Sequence, residues 1–395
     1  MMTRVPACVM GDIDLVHALG LGGIPSVVVA PLGAPARYSR FTRRALPWRD
    51  PWEQPEQAVE QLVRYGASQA KPPVLFYQDD GSQLLVSRNR EQLGRVFRFV
   101  IPDATLVEDL VDKARFQALA ARLGLPVPPA RVLAPATEPP PADLVYPVLV
   151  KPLTRRPRSW DPVAHGGKAI RFDTPAALQA AWPRLAASGL TVLAQTEVAG
   201  PEQRIESYHV YVDTGGTTVA AFTGRKIRTY PAAFGDSTAL EITDQPDVAA
   251  IGAESVGRMG LRGVAKLDFK RDAGGRLHLL EVNARFTLWN HPGALAGVNI
   301  PGLVYGDLTG EPRPLLPRVL PGVRWCRMWA DRPAAREQGI PFFRWLPWAL
   351  GSEAKRAIAW HDPMPLVRAG LWRLWPHGTP VSPAPLRAPG TGALC

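Results

Sequence analysis

The chain has 395 residues, 46% hydrophobic and 21% charged, with a formal net charge of +11. That length implies more than one domain with sizeable cores, no apolar run approaches the roughly 20 residues of a membrane span, and Cys8, Cys326 and Cys395 are too scattered for a disulfide framework or a zinc site. The basic excess suits anionic substrates, a membrane surface or nucleic acid, but part of it follows an Arg/Ala/Pro-rich composition, and no Cys/His finger or RNA-recognition signature is present, so no nucleic-acid partner is expected.

The N-terminus meets acids before a signal-peptide core can form, so a cytoplasmic location is expected. Residues 6–11 and 12–30 read as a strand, a helix and a second strand, the opening of a βαβ unit. Gly11, Gly20, Gly22 and Gly23 do not form GxGxxG and are read as turn residues. Residues 72–81 make a further strand ending in acids. From Asp112 to Gly124 the chain places Phe116, Leu119, Ala120 and Leu123 at helical spacing, with Asp112 as N-cap and Gly124 past the end. A Pro-rich connector follows, and then a strand carrying Lys151. The loop from Thr154 to Gly167 holds Arg155, Arg156, Arg158 and Trp160 and ends beside Lys168. Such a loop either closes over phosphates through its backbone N–H groups and cations or lies exposed and basic. Residues 191–200 form a strand running into a turn. Two further strands pair about Gly215 and Gly216, and unbroken alternation on the second puts Lys226 and Arg228 on one face. A helix over 245–260 turns Val248, Ile251, Val256 and Met259 inward.

The strand from Arg276 to Phe286, RLHLLEVNARF, is the most informative stretch. Read with period two, Leu277, Leu279, Glu281, Asn283 and Arg285 share a face that changes halfway from apolar to polar. Upstream, GVAKLDFK is a strand and RDAGG has hairpin-turn composition. Folding back there brings Asp268 near Glu281 and Asn283. Two carboxylates and an amide are hard oxygen ligands of the kind Mg²⁺ takes together with substrate phosphates. The alternative is a half-buried hairpin whose charges pair with one another.

The order of these parts resembles the ATP-grasp superfamily: the DK..F helix, the VLVKP strand, the glycine loop, the QTEVAGPE hinge, the GRKIR strand and the hairpin with Asp268, Glu281, Asn283 and Arg285. FTGRKIRTYPAAFGDST, LLEVNARF and AGVNIPGLVYGDLTG further resemble its carboxylate-amine ligase branch, which includes D-aspartate ligase-like proteins. The resemblance implies an α/β and α+β architecture: a Rossmann-like parallel-sheet domain over 1–110, ATP-clasping lobes over 111–192 and 193–312, and a C-terminal appendage over 313–395. It implies that Lys113, Lys151 and Lys168 meet the nucleotide, that Gln195, Glu197 and Val198 border the adenine, and that Glu202 binds the ribose hydroxyls. Asp268, Glu281 and Asn283 would hold one or two Mg²⁺ ions, and Asp268 stands where relatives often have Glu. Arg285 would point at the γ-phosphoryl group or the substrate carboxylate, with Lys226 and Arg228 completing an electrostatic cradle.

The activity implied is ATP-dependent joining of a carboxylate to an amine through an acyl phosphate, with release of ADP and phosphate. Small-molecule acid and amine substrates and, as an allowed assembly, a homodimer go with it. The alternatives are another acceptor, as in a kinase or carboxylase, and an ATP-binding scaffold at a membrane surface without turnover. His209, mid-strand, is expected to be packed, and His291 lies just beyond the hairpin, close to where substrate would bind. The segment 313–395 holds seven of the twelve tryptophans, Trp325, Trp329, Trp345, Trp348, Trp360, Trp372 and Trp375, among many arginines. These residues either serve peripheral contact with a membrane or a lipid-linked substrate or pack the segment onto the core. The last residues read as a disordered tail.

Overall fold

Four parallel strands open the chain. The computed structural model describes residues 4–154, 158–164, 167–315, 318–356, 359 and 361–368. In it β1 (Ala7–Met10), β2 (Ser26–Val29), β3 (Thr42–Leu46) and β4 (Leu75–Tyr77) form one sheet in the order β3-β2-β1-β4. Short apolar runs such as ACVM, SVVV and LFY suit strands covered on both faces, and β1, β2 and β4 are buried throughout. The helix Ile13–Leu21 follows β1 at once, its first N–H capped by the Asp12 carboxylate at 2.6 Å.

A second, antiparallel sheet comprises β5 (Ala130–Leu133), β6 (Val148–Pro152), β7 (Ile170–Phe172) and β8 (Val192–Thr196) in the order β5-β8-β6-β7. The helix Lys113–Leu123 leads into it. Asp112 accepts from the N–H groups of Ala114 and Arg115, and Gly124 takes the left-handed conformation at φ +61°, as the sequence signals require. Trp160 is fully buried in the core of this lobe, and its indole N–H donates to the Gly167 carbonyl at 3.0 Å, so it is a packing residue of the loop. Arg155 and Arg156 lie outside the described residues.

The largest sheet has seven strands: β9 (Ile205–Val212), β10 (Thr218–Tyr230), β11 (Asp236–Thr243), β12 (Gly263–Arg271), β13 (Leu277–Asn283), β14 (Arg324–Cys326) and β15 (Ala354–Lys355), ordered β13-β12-β9-β10-β11-β14-β15. One face packs on the helices Lys113–Leu123 and Pro246–Met259, the other on the N-terminal domain. A boundary at residue 193 would cut through β8, which belongs to the smaller sheet. A boundary at 313 would likewise separate β14 and β15 from the sheet they extend.

Two β-bulges overturn the expected faces. Lys226 pairs with Leu240 and Arg228 with Ala239, so Ile227 is an extra residue and Lys226 and Arg228 point to opposite sides. Asp268 pairs with Glu281 while Phe269 pairs with Leu279, so Leu280 is extra. Leu277 and Leu279 therefore share the core side with Val282 and Ala284, while Glu281 and Asn283 turn to the cleft. One inserted residue explains why the face seemed to change chemistry halfway along.

The bulge in β10 sends Arg228 into the C-terminal segment. Its Nε and Nη2 donate to the two carboxylate oxygens of buried Asp331 at 2.8 and 2.7 Å, and its guanidinium lies 4.0 Å from the Trp348 ring centroid. Asp331 also accepts from Thr238 Oγ1 and Trp345 Nε1, each at 2.8 Å. Trp325 is buried and donates its indole N–H to Asp14 at 2.8 Å. Thus Trp325, Trp345 and Trp348 pack inward, whereas Trp329 is exposed. Trp360, Trp372, Trp375 and the tail lie outside the described residues. No described helix is long and apolar enough to cross a membrane. Replacing Asp331 by Ala leaves the Arg228 guanidinium buried without its counter-ion, and urea unfolding should show a loss of about 3–5 kcal/mol. A change under about 1 kcal/mol would refute this account.

Candidate active site

The hairpin brings its two acids together as expected. Asp268 and Glu281 are direct cross-strand partners. Asp268 is buried, accepts from the Ser207 hydroxyl and takes a 2.6 Å bond from Lys266 Nζ, which also lies 3.7 Å from Glu281. Asn283 donates to Glu281 at 3.0 Å, and Arg285 Nη2 donates to Asn283 Oδ1 at 2.7 Å. Desolvation works against the Glu281 charge, but the ammoniums of Lys266 and Lys226 and the Asn283 bond outweigh it and hold this carboxyl well below the usual range. The Lys266 ammonium stands between two carboxylates, where a bound cation would also be stabilised. Among the described residues no three His, Cys, Asp or Glu side chains converge on one ion. The candidate oxygen donors are these two carboxylates and the Asn283 amide, a set that suits Mg²⁺.

Between the small lobe and the large sheet lies a cleft of about 390 Å³, within the size range of ligand sites. Lys151 on β6 and Lys113 at the start of its helix enter from one wall, Asp268 and Glu281 from the other. Lys151 donates to Gln195 Oε1 at 2.9 Å. Burial first, and then the neighbouring Lys113 charge, pulls the Lys151 ammonium down to about 8. Burial also lowers Lys113. Two ammoniums crowded together ask for an anion between them. Gln195 is buried, and with its oxygen taken by Lys151 its Nε2 has no partner among the described residues. Glu197 and Val198 line the same end, where the Glu197 carboxylate pairs with Arg171 at 2.6 Å and its N–H donates to the Pro147 carbonyl. Glu202 sits 3.6 Å from Lys270. Lys168 borders the cleft, paired with Asp236.

A second cavity of about 710 Å³ shares Lys168, Lys226, Asp268 and Glu281 with the first. Its other wall is formed by loops at the C-terminal ends of β1, β2 and β4, the place where open parallel sheets bind ligands. Arg285 lines it and is tied to that domain by bonds to Asp80 at 2.6 Å and to the Gln78 carbonyl at 3.1 Å. Trp289 forms part of the floor. Gly224 makes room for that indole, since a Cβ there would sit 2.3 Å from it.

The structure thus gathers Lys113, Lys151, Lys168, Gln195, Glu197, Val198, Glu202, Lys226, Asp268, Glu281, Asn283 and Arg285 around two joined cavities. Arg228 does not join them. Neither does His291, buried against Asp14 at 3.3 Å and pushed down to about 3 first by burial. His209 is packed between Phe222 and Trp289. Sequence reasoning missed Lys266 and Lys270, although period two from Asp268 puts both on its face. It also missed Arg327 and Arg356, which line the second cavity from the C-terminal segment with no local signal.

No family model matches the chain. Three solved structures superpose on about four fifths of it: N5-carboxyaminoimidazole synthetase from Staphylococcus aureus complexed with ADP (TM-score 0.59, 14% identity, covering 80% of this chain and 79% of that one), biotin carboxylase from Campylobacter jejuni (0.61, 13%, 81% and 74%) and L-amino acid ligase from Bacillus licheniformis (0.57, 16%, 78% and 75%). The chain has the ATP-grasp fold. In sequence it is 26% identical over 199 residues to a D-alanine–D-alanine ligase of Pseudomonas entomophila, covering 46% of this chain and 56% of that protein. It is 28% identical over 215 residues to the Halorhodospira halophila enzyme of that name, covering 49% and 64%. The chain spans 56% and 64% of the length of these two curated relatives.

The state of Lys151 gives a pH signature. Its ammonium is present below about 8 and lost above it, so affinity for a non-hydrolysable ATP analogue should fall roughly tenfold from pH 7 to pH 9, the worth of one charge-assisted contact. Lys151→Met should bind weakly at both pH values. An identical pH dependence in that variant would assign the titration elsewhere.

Proposed function

We propose that this protein is an ATP-dependent ligase that joins a carboxylate to an amine with release of ADP and phosphate. The observation that carries the proposal is the cross-strand Asp268–Glu281 pair facing Lys113 and Lys151 across one cleft. The D-alanine–D-alanine ligases and the L-amino acid ligase among the similar proteins support it.

In this scheme the Gln195 amide, the Glu197 carbonyl and the Val198 N–H meet the adenine edge. Glu202 accepts from the ribose hydroxyls. Lys113 and Lys151 hold the phosphates, and Asp268, Glu281 and Asn283 hold Mg²⁺. A bound magnesium ion would screen the repulsion between an incoming carboxylate and the triphosphate. Arg285 and Lys226 orient the acid in the second cavity so that its oxygen is in line with the γ-phosphorus and ADP leaves. The amine then attacks the acyl carbon, phosphate departs, and the ammonium proton passes to solvent. A chain doing this needs no protein nucleophile, because the acid itself is activated.

ADP release from purified protein with MgATP, screened against pools of acids and amines, should require both substrates. Glu281→Gln should lower the rate at least about a hundredfold, as loss of a preorganised electrostatic contact does. Undiminished turnover in that variant would overturn the site, and ADP release needing only one substrate would favour the kinase or carboxylase alternative.

Contact of the C-terminal segment with a lipid surface is a separate reading. It is supported by the exposure of Trp329, Phe342, Phe343 and Leu350 close in sequence to Arg336 and Arg344. Wild type should float with vesicles rich in anionic lipid, and the double variant Trp329→Ser with Phe343→Ser should stay in the pellet fraction. Equal flotation of the two would end the idea.

A further inference from the structure

Two cations on the second cavity, Lys226 and Arg327, make no ion pair among the described residues. Of the cations lining it, Lys168 pairs with Asp236, Lys266 with Asp268, Arg285 with Asp80 and Arg356 with Asp12. The charge of Lys226 is directed to Glu281 and, in the ligase scheme, to the donor acid. Arg327 makes no direct ion pair among the described residues; buried Asp14 feels its charge from a distance, and the Arg327 side chain is exposed on the cavity.

Its backbone is fixed from several sides. Arg327 directly follows β14, whose Trp325 and Cys326 are buried. Its N–H donates to the Thr238 carbonyl at 2.8 Å, and its carbonyl accepts from Ala330 and Asp331, each at 2.9 Å. Arg356 is held alongside, its N–H bonded to the Cys326 carbonyl at 3.2 Å. Asp12 is already committed to the helix cap and to Arg356. Asp12 is paired with Arg356 and Asp14 with the Trp325 indole, so neither carboxylate makes a direct bond to the Arg327 guanidinium. The same cavity also carries an apolar part of its wall, with Val29, Pro31, Trp48, Leu288 and Trp289. A guanidinium presented from a rigid backbone into such a place is a receptor for a planar carboxylate.

We infer that Arg327 binds a carboxylate carried by the amine substrate, so that the acceptor is an amino acid or peptide and neither ammonia nor a simple amine. This rests on the ligase reading and deepens it. The anchor comes from the C-terminal segment, outside both nucleotide-clasping lobes, and gives that segment a part in substrate choice. Holding the acceptor carboxylate at Arg327 also keeps it from competing with the donor acid for the γ-phosphoryl group. Its amine is left free to approach the acyl phosphate near Glu281 and Lys226.

The test is a thermal-shift and calorimetric comparison of wild type, Arg327→Gln and Arg327→Lys, each with magnesium and a non-hydrolysable ATP analogue. The probes are L- and D-amino acids paired with their carboxamides and with the corresponding decarboxylated amines. Wild type should bind at least one free amino acid at least tenfold more tightly than its amide or amine. Arg327→Gln should erase that preference while its affinity for the nucleotide analogue stays within twofold, and Arg327→Lys should recover part of it. Equal binding of acid and amide by wild type, an unchanged preference in Arg327→Gln, or no amino acid bound by nucleotide-loaded wild type would each overturn the inference. Absence of nucleotide binding by wild type would instead overturn the ligase reading beneath it.

Discussion

Asp268 and Glu281 face each other across β12 and β13, and two carboxylates so placed repel unless positive charge stands between them. The rest of the cleft is arranged around that constraint. Lys266 bonds to one acid and approaches the other, Lys226 approaches from β10, and Asn283 and Arg285 continue the chain of bonds to Asp80 in the N-terminal domain. Across the cleft Lys113 and Lys151 have the opposite problem, two ammoniums partly stripped of water. The proposed magnesium nucleotide would offer each side the charge that it lacks.

The C-terminal segment obeys the same electrostatic rule. Its buried Asp331 collects the Arg228 guanidinium, the Thr238 hydroxyl and the Trp345 indole, so a charge from β10 and an acid from the appended helix are buried only together. Asp14 is held near the start of the first helix by the Trp325 indole, and burial pushes it up to about 6. These contacts make the segment an extension of the large sheet and place Arg327 and Arg356 on the cavity wall.

Much of this was legible beforehand where the signal is local. The cap at Asp112 and the left-handed Gly124 bound a helix because each satisfies backbone groups within a few residues. The turn at 272–275 brings Asp268 to Glu281 because hairpin pairing follows from a short turn between strands. Lys266 lies on the same face as Asp268 two residues away, but a single lysine beside an acid in a strand reads as ordinary surface charge until Glu281 is brought across from β13. Arg327 had no such signal, because its site depends on β14 meeting β11, strands separated by about eighty residues of chain.

What the sequence alone determined was the order of elements and the pairing of the hairpin acids, because these follow from local spacing and turn chemistry, and that order carried the resemblance from which the fold class was read. The tertiary structure decided which way the side chains point beyond each bulge. One extra residue at Ile227 or Leu280 reverses a strand's phase, so Arg228 leaves the cleft while Glu281 and Asn283 enter it. Period two has no term for an unpaired residue, and only the neighbouring strand reveals one.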